Sequence, residues 1–171
     1  MNNKDYSITE KRIELKDVFT TDDLTLIEKS IKLSRFSFYK PYPSRKVNSL
    51  YFDDLHFSSL EESIEGKSLR TKKRLRWYGD SLNKNNAVLE FKKKLGVYSW
   101  KELYRNSYCI NPIARKWSDF ILPLNKNPTL SLKNISDIPV SVVTYRREYY
   151  TSFDSKVRVT IDRNLKTYEQ K

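Results

Sequence analysis

Residues 69–78 read Leu-Arg-Thr-Lys-Lys-Arg-Leu-Arg-Trp-Tyr, and this stretch decides the fold class. Its second half alternates strictly between charged and apolar residues. In an extended chain, Leu75 and Trp77 fall on one face, and Arg74 and Arg76 fall on the other. The stretch therefore predicts a strand with one apolar and one charged face.

Five further segments alternate in the same way and predict strands. They are Arg12–Lys16, Val47–Asp53, Val88–Lys94, Val140–Tyr150 and Val157–Asp162. Residues 83–86 predict a hairpin turn between two of these strands, and strands joined by a short turn are antiparallel. The pattern predicts an α+β fold built on an antiparallel sheet, because it lacks the regular strand–helix alternation of a parallel sheet.

Three helices are predicted around the strands. Residues 22–33 carry apolar residues at helical spacing, with Thr21 available as a cap. The capping-box pattern Ser58-Ser59-Leu60-Glu61 opens a short second helix that Gly66 can end. Residues 111–122 predict a third helix with an apolar stripe. Residues 124–137, rich in Asn, Lys and Ser, predict a long connection.

Composition limits the class of protein. The 171 residues, of which 38% are hydrophobic, suffice for one domain spanning the whole chain. His56 and Cys109 are the only residues of their kinds, which excludes an internal disulfide and any mechanism that needs two histidines. We expect a cytoplasmic protein, because no apolar run is long enough to span a bilayer and the N-terminus does not resemble a signal peptide.

The net charge of +12 favours a polyanionic ligand. Basic residues recur opposite the apolar residues of several strands, and we call this side of the sheet the charged face. Its basic members are Lys16, Arg74, Arg76, Lys92, Arg147 and Arg158. Such a face is either solvated or turned inward in a curled sheet, where its repulsion requires an anion or carboxylates. The carboxylates placed to offset it are Glu14, Glu90 and Asp162.

Four motifs of the charged strands together resemble the VTC domain, the polyphosphate polymerase domain of the triphosphate tunnel metalloenzyme superfamily. They are Ser49-Leu50-Tyr51-Phe52-Asp53-Asp54, Arg74-Leu75-Arg76-Trp77-Tyr78-Gly79, Leu89-Glu90-Phe91-Lys92 and Val157-Arg158-Val159-Thr160-Ile161-Asp162. The resemblance implies a closed antiparallel β-barrel with a few peripheral helices, whose tunnel binds ATP and polyphosphate. It further implies Mn²⁺ or Mg²⁺ as cofactor and transfer of the ATP γ-phosphate to a polyphosphate chain.

The resemblance also implies roles for single residues. The phosphate-binding positions fall on Lys16, Arg74, Arg76, Lys92, Lys101, Tyr145, Arg147 and Arg158. Among them, the positions expected to act in transfer are Arg74, Arg76, Lys92, Arg147 and Arg158. Glu90 is the first candidate for the metal side of the site and Glu14 the second, although each could instead pair with neighbouring cations.

One departure concerns the last residues. Family members continue to a further strand with a Glu-x-Lys element, and Glu169-Gln170-Lys171 matches it only in letters. We therefore expect the chain to lack that acidic strand, with weakened turnover and possible homo-oligomers through an open barrel edge.

Two other functions remain open at this stage. A triphosphate hydrolase of the same superfamily would use water as acceptor. A noncatalytic module would bind polyphosphate, inositol phosphate or RNA, with Trp77-Tyr78 and Tyr149-Tyr150 as candidate stacking pairs. Nucleic acid is the weaker expectation, because Trp77 falls on the apolar face. Asp53 and Asp54 are expected to cap the second helix rather than to bind a metal.

Overall fold

The computed structural model describes residues 6–20, 24–80, 87–110, 121–123 and 138–169. Within these residues the chain forms nine strands and two helices. In chain order these are β1 (Tyr6–Ile8), β2 (Arg12–Ile13), α1 (Leu24–Lys32), β3 (Arg45–Asp53), α2 (Ser58–Ile64), β4 (Leu69–Tyr78), β5 (Ala87–Leu95), β6 (Tyr98–Ile110), β7 (Ile121–Pro123), β8 (Ile138–Thr151) and β9 (Arg158–Glu169).

The strands form one antiparallel sheet in the order β1-β6-β5-β4-β3-β8-β9, and β2 and β7 also pair with β6. The α+β class and the antiparallel sheet are therefore confirmed. Within the described residues, β1 and β9 lie at opposite ends of this order and do not pair with each other. The expected closure into a barrel is thus not formed by this part of the chain.

The apolar face forms the core, as the alternation predicts. Leu50 and Phe52 of β3 pack with Leu75 and Trp77 of β4, and Trp77 is only 1% exposed. The cluster continues through Ala87, Leu89 and Phe91, with Tyr104 and Val142 against it. Burying this apolar surface fixes the register of the central strands, since a one-residue slip would turn the core residues to the other face.

The expected strand Arg12–Lys16 is wrong in its extent and its packing. β2 contains only Arg12 and Ile13, which pair with the start of β6. Ile13 is exposed and Leu15 is 91% exposed, so neither residue joins the core. After Ile13 the chain has left the sheet, and none of the described strands lies beside residues 14–16 to bury the alternating residues.

Two other strands correct the sequence-based expectations. Residues 121–123 form β7, which pairs with β6, so they do not belong to the predicted third helix. Three other predicted features lie outside the described residues: the rest of that helix, the connection 124–137 and the turn 83–86. β9 begins after Val157 and runs on to Glu169, well past the predicted end at Asp162. Glu169 therefore ends a paired strand, opposite Ser141 of β8.

Helix α2 begins differently from the predicted capping box. The side chain of Asp53 accepts hydrogen bonds from the backbone N–H groups of Ser59 and Leu60, and that of Asp54 accepts from Ser58. The helix ends with the backbone N–H of Lys67 bonded to the carbonyl of Glu62, and Gly66 adopts φ +72° between them. The expected capping by Asp53 and Asp54 and the stop at Gly66 are confirmed.

Helix α1 occupies residues close to the predicted ones, although its expected cap Thr21 lies outside the described residues. Glu28 of α1 accepts a hydrogen bond from Arg163 of β9 at 2.5 Å, and Arg163 also donates to Glu148. Of the two helices described, neither combines the length and the apolar character needed to cross a membrane.

Candidate functional site

The charged face has a buried centre on β4 and β5. Arg74 donates from Nε and Nη2 to Glu90 Oε2, at 2.9 and 2.7 Å, and Arg76 Nη1 lies 3.2 Å from Glu90 Oε1. Lys101 of β6 places its Nζ 3.6 Å from Glu90 Oε2. We call these four residues the Glu90 cluster; they bring together three cations and one carboxylate.

Burial shows that this part of the charged face is not a solvated surface. The side chains of Arg76 and Glu90 are each 6% exposed, while Leu75 and Trp77 bury the opposite face of the same strand. The strand is thus covered on both sides. Burial raises the pKa of Tyr145 on β8, against the opposing charges of Arg147, Arg76 and Arg74. The arginines of β4 therefore influence a side chain two strands away, across β3.

The cluster carries more positive than negative charge. Burial alone would raise the pKa of Glu90, but Arg74, Arg76 and Lys101 hold that pKa below its usual value. Burial, with repulsion from Arg76 and Arg74, lowers the pKa of Lys101 to about 7, against the opposing attraction of Glu90. Glu90 is therefore a carboxylate near neutral pH, and two arginines share it.

Two buried polar atoms, one in the cluster and one next to it, have no hydrogen-bond partner among the described residues. They are Nε of Arg76 and Oγ of Ser49, which stand opposite each other on β4 and β3. An unsatisfied buried donor is costly, and most such groups in proteins find a partner. Both atoms therefore carry hydrogen-bonding capacity that the described part of the chain does not use.

A second group of cations lies beside the cluster. Lys92 Nζ donates to Glu14 Oε2 at 2.5 Å. Burial lowers the pKa of Lys92, with Glu14 opposing and the charges of Lys16 and Arg74 adding to the shift. The pKa of Lys72 is also lowered. Burial is the main cause, and the charges of Lys16 and Arg70 add to the shift, whereas Tyr51 opposes it. The predicted Lys16 thus acts on this group electrostatically, although it lies in the segment after β2.

A third group lies on β8 and β9. Arg147 donates from Nε and Nη2 to the two carboxylate oxygens of Asp162, both at 2.6 Å, and its guanidinium lies 5.0 Å from the ring of Tyr145. Asp162 is therefore an interleaved carboxylate, as expected. Arg158 stands apart from this group. It pairs with Thr151, four residues beyond Arg147 on β8 and so about 13 Å along the strand.

The carboxylates of Glu90 and Glu14, the two candidates for the metal side of the site, are both paired with cations in this structure. Each carboxylate already accepts hydrogen bonds from cationic side chains, and a metal would have to displace them. The described residues also contain no group of three or more His, Cys, Asp or Glu side chains that could hold a metal ion. Pairing with neighbouring cations, the other role considered for these two residues, is the one the geometry supports.

Sequence reasoning missed Tyr51. Its hydroxyl accepts a hydrogen bond from Arg74 Nη1 at 3.2 Å, and the two residues are cross-strand partners. The alternation of the strand already indicated this position. Tyr51 stands between Leu50 and Phe52 of the apolar face, so its side chain lies on the charged face with the arginines. His56, by contrast, is exposed, and Cys109 has no described side chain.

The comparisons agree with the motifs. A family model described as "VTC domain" matches residues 11–170. No curated protein and no solved structure matches the chain. Since the family model spans nearly all 171 residues, including every strand from β2 to β9, the chain belongs to the VTC domain family.

Proposed function

We propose that this chain binds ATP and polyphosphate on its charged face and transfers the ATP γ-phosphate to the end of a polyphosphate chain. Membership of the VTC domain family supports a polyphosphate-related function. Beyond that family-level function, we propose the substrates and the transfer reaction. We also propose that the sheet curls so that its charged face lines a tunnel.

The Glu90 cluster is the observation that carries the proposal. Arg74, Arg76 and Lys101 converge on a single buried carboxylate, and two buried polar atoms beside them lack partners. Uncompensated cations are costly in a low-dielectric interior, and a phosphate oxygen is a suitable partner because it accepts from guanidinium groups bidentately. A tri- or polyphosphate would supply both the missing charge and the missing acceptors.

The proposed transfer needs positioning more than covalent chemistry from the protein. A terminal oxygen of the acceptor chain attacks the γ-phosphorus, the bond to the β–γ bridging oxygen breaks, and ADP leaves. Arg74 and Arg76 would hold the triphosphate near Glu90, with Lys92, Lys101 and Arg147 neutralising charge on either side. The acceptor oxygen is already anionic, so this step requires no general base.

Labelled ATP separates the candidate functions. The chain is incubated with ATP labelled at the γ-phosphate, with and without Mn²⁺ or Mg²⁺, and the products are resolved by length. Polymerisation gives labelled long chains, hydrolysis gives free phosphate, and a binding module gives neither. Arg76→Gln should abolish the product. Arg146→Gln is the matched control, because Arg146 is exposed and bonds only to Ser44 Oγ among the described side chains.

A further inference from the structure

A second feature of the charged face is an arginine enclosed by tyrosine rings. The guanidinium carbon of Arg45 lies 4.6 Å from the ring centre of Tyr42, 4.6 Å from that of Tyr78 and 5.0 Å from that of Tyr149. Tyr42 and Tyr149 also meet edge to face, with ring centres 4.7 Å apart. We call these three rings the tyrosine cage.

The cage lies in line with the basic residues already described. Arg45 is the direct cross-strand partner of Arg147. On the same strand β3, Arg45 precedes Ser49 by four residues, and Ser49 is the partner of Arg76. Arg45 is thus about 13 Å along the strand from the Glu90 cluster, beside Arg147.

The guanidinium has no anionic partner of its own. The described part of the chain gives Arg45 no carboxylate within ion-pair distance, and its side chain is exposed; the neighbouring Lys46, in contrast, pairs with Asp80. The three rings hold the guanidinium of Arg45 by cation–π contacts. Among the described residues none accepts a hydrogen bond from its N–H groups, so these donors are available to a ligand.

We propose that Arg45, held by the tyrosine cage, is an additional phosphate-binding site that engages chains longer than a triphosphate. The proposal rests on the proposed binding of polyphosphate at the Glu90 cluster. Arg147 and Arg45 are cross-strand partners, but the guanidinium of Arg147 lies by Tyr145, on the side of the Glu90 cluster, whereas that of Arg45 lies by Tyr149, on the far side. A triphosphate centred on Arg74 and Arg76 would therefore leave Arg45 to the later phosphates of a longer chain, and Arg45 would give the protein a preference for long chains.

The test compares two ligands on one variant. Affinities for tripolyphosphate and for long-chain polyphosphate are measured by calorimetry for the wild type, Arg45→Gln and Arg146→Gln. Arg45→Gln should weaken long-chain binding by about tenfold or more, the effect of one charge-assisted contact, and tripolyphosphate binding by less than about twofold. Arg146→Gln removes the same charge from an exposed side chain near the cage and should change neither affinity by more than about twofold. A thermal melt of Arg45→Gln should match the wild type.

Each other outcome overturns the proposal in a distinguishable way. Equal losses for both ligands would place Arg45 in the triphosphate site, and no loss would leave the cage a structural feature. A loss confined to ATP, tested in parallel, would assign the cage to the nucleobase. If Arg45→Gln lowers the melting temperature, Tyr42→Leu serves as the second variant, since it removes one exposed ring and should weaken only long-chain binding. If the wild type binds neither ligand, the proposed function itself fails.

Discussion

Lys101 should make anion binding depend on pH near neutrality. Burial, together with Arg76 and Arg74, lowers the pKa of Lys101 to about 7. A bound phosphate chain would favour the charged amine and raise that pKa. Above pH 7 the free protein must then take up a proton on binding, so affinity should fall as the pH rises, by up to about tenfold per pH unit, and should level off below pH 7.

Lys101→Arg provides the control for that prediction, because it keeps a permanent charge at the same position. The ratio of wild-type to variant affinity for tripolyphosphate, measured between about pH 6 and pH 9, cancels the protonation of the ligand itself. A ratio that does not change with pH would mean that Lys101 is charged throughout or does not contact the anion.

Glu90 should stabilise the protein while weakening anion binding. Glu90→Gln removes the charge that Arg74, Arg76 and Lys101 share. Breaking such a buried pair costs about 3–5 kcal/mol of unfolding free energy, so the melting temperature without ligand should fall. Tripolyphosphate should bind Glu90→Gln more tightly than the wild type, and it should raise the melting temperature of the variant by a larger amount. Both measurements are made with a metal chelator present.

Glu102→Gln is the matched control for Glu90, since Glu102 is partly buried and pairs with Lys93 on the neighbouring strand. It should cost less stability and leave the tripolyphosphate affinity unchanged. If Glu90→Gln instead kept its stability in chelator and lost only metal-dependent binding, Glu90 would be a metal ligand after all.

The sequence predicts which residues share the charged face better than it predicts what each contacts. Alternation places Arg74, Arg76 and Glu90 on one side of their strands, because side-chain direction in a strand depends only on parity. It does not reveal that Glu90 is shared by two arginines. That contact depends on the register between β4 and β5, which the buried residues of the opposite face determine.

At the scale of elements, the start of α2 gives a direct comparison of two capping arrangements. Asp53 is buried and accepts hydrogen bonds from three backbone N–H groups, those of Asp54, Ser59 and Leu60. Asp53→Ala should therefore cost about 2 kcal/mol, the upper end of the range for lost helix caps. Ser58→Ala should cost less, although the capping-box pattern predicts the reverse. Chemical denaturation of both variants measures the difference, and a larger loss for Ser58→Ala would contradict the assignment.

Among the elements, the strands that carry the core were predictable, whereas β6, with no alternating pattern recognised in its sequence, was not. β3, β4 and β5 contain residues buried on one face by direct neighbours, so their alternation reflects real packing. Leu15 alternates equally well but is exposed, with no strand beside it in the part of the chain that the structure describes, and the pattern alone could not show this. β9 continues past Asp162 because β8 is long enough to pair with it. Asn164 adopts φ 55° at the point where the register between β8 and β9 shifts. Pairing with a partner strand therefore set its length.

At the scale of the whole molecule, the charge and the aromatic residues together bear on which polyanion the proposed site would prefer. A net charge of +12 attracts RNA and polyphosphate alike. Single-stranded RNA also needs exposed rings for base stacking. Trp77 is buried in the core, and the rings of Tyr42, Tyr78 and Tyr149 already contact Arg45. The rings nearest to Arg45 are therefore already engaged by a guanidinium, which favours phosphate over bases as the ligand of the charged face.

Polyphosphate should consequently stabilise the folded chain far more than RNA with the same number of phosphates. At a ligand concentration about a hundredfold above Kd, binding contributes about 2.7 kcal/mol, which raises the melting temperature of a protein of this size by roughly 5–10 °C. RNA at the same phosphate concentration and physiological ionic strength should raise it by less than about 2 °C. Arg76→Gln should reduce the shift with polyphosphate, because its guanidinium lies at the buried centre of the charged face. An equal or larger shift with RNA, insensitive to Arg76→Gln, would instead indicate a nucleic-acid-binding module whose contacts lie outside the Glu90 cluster.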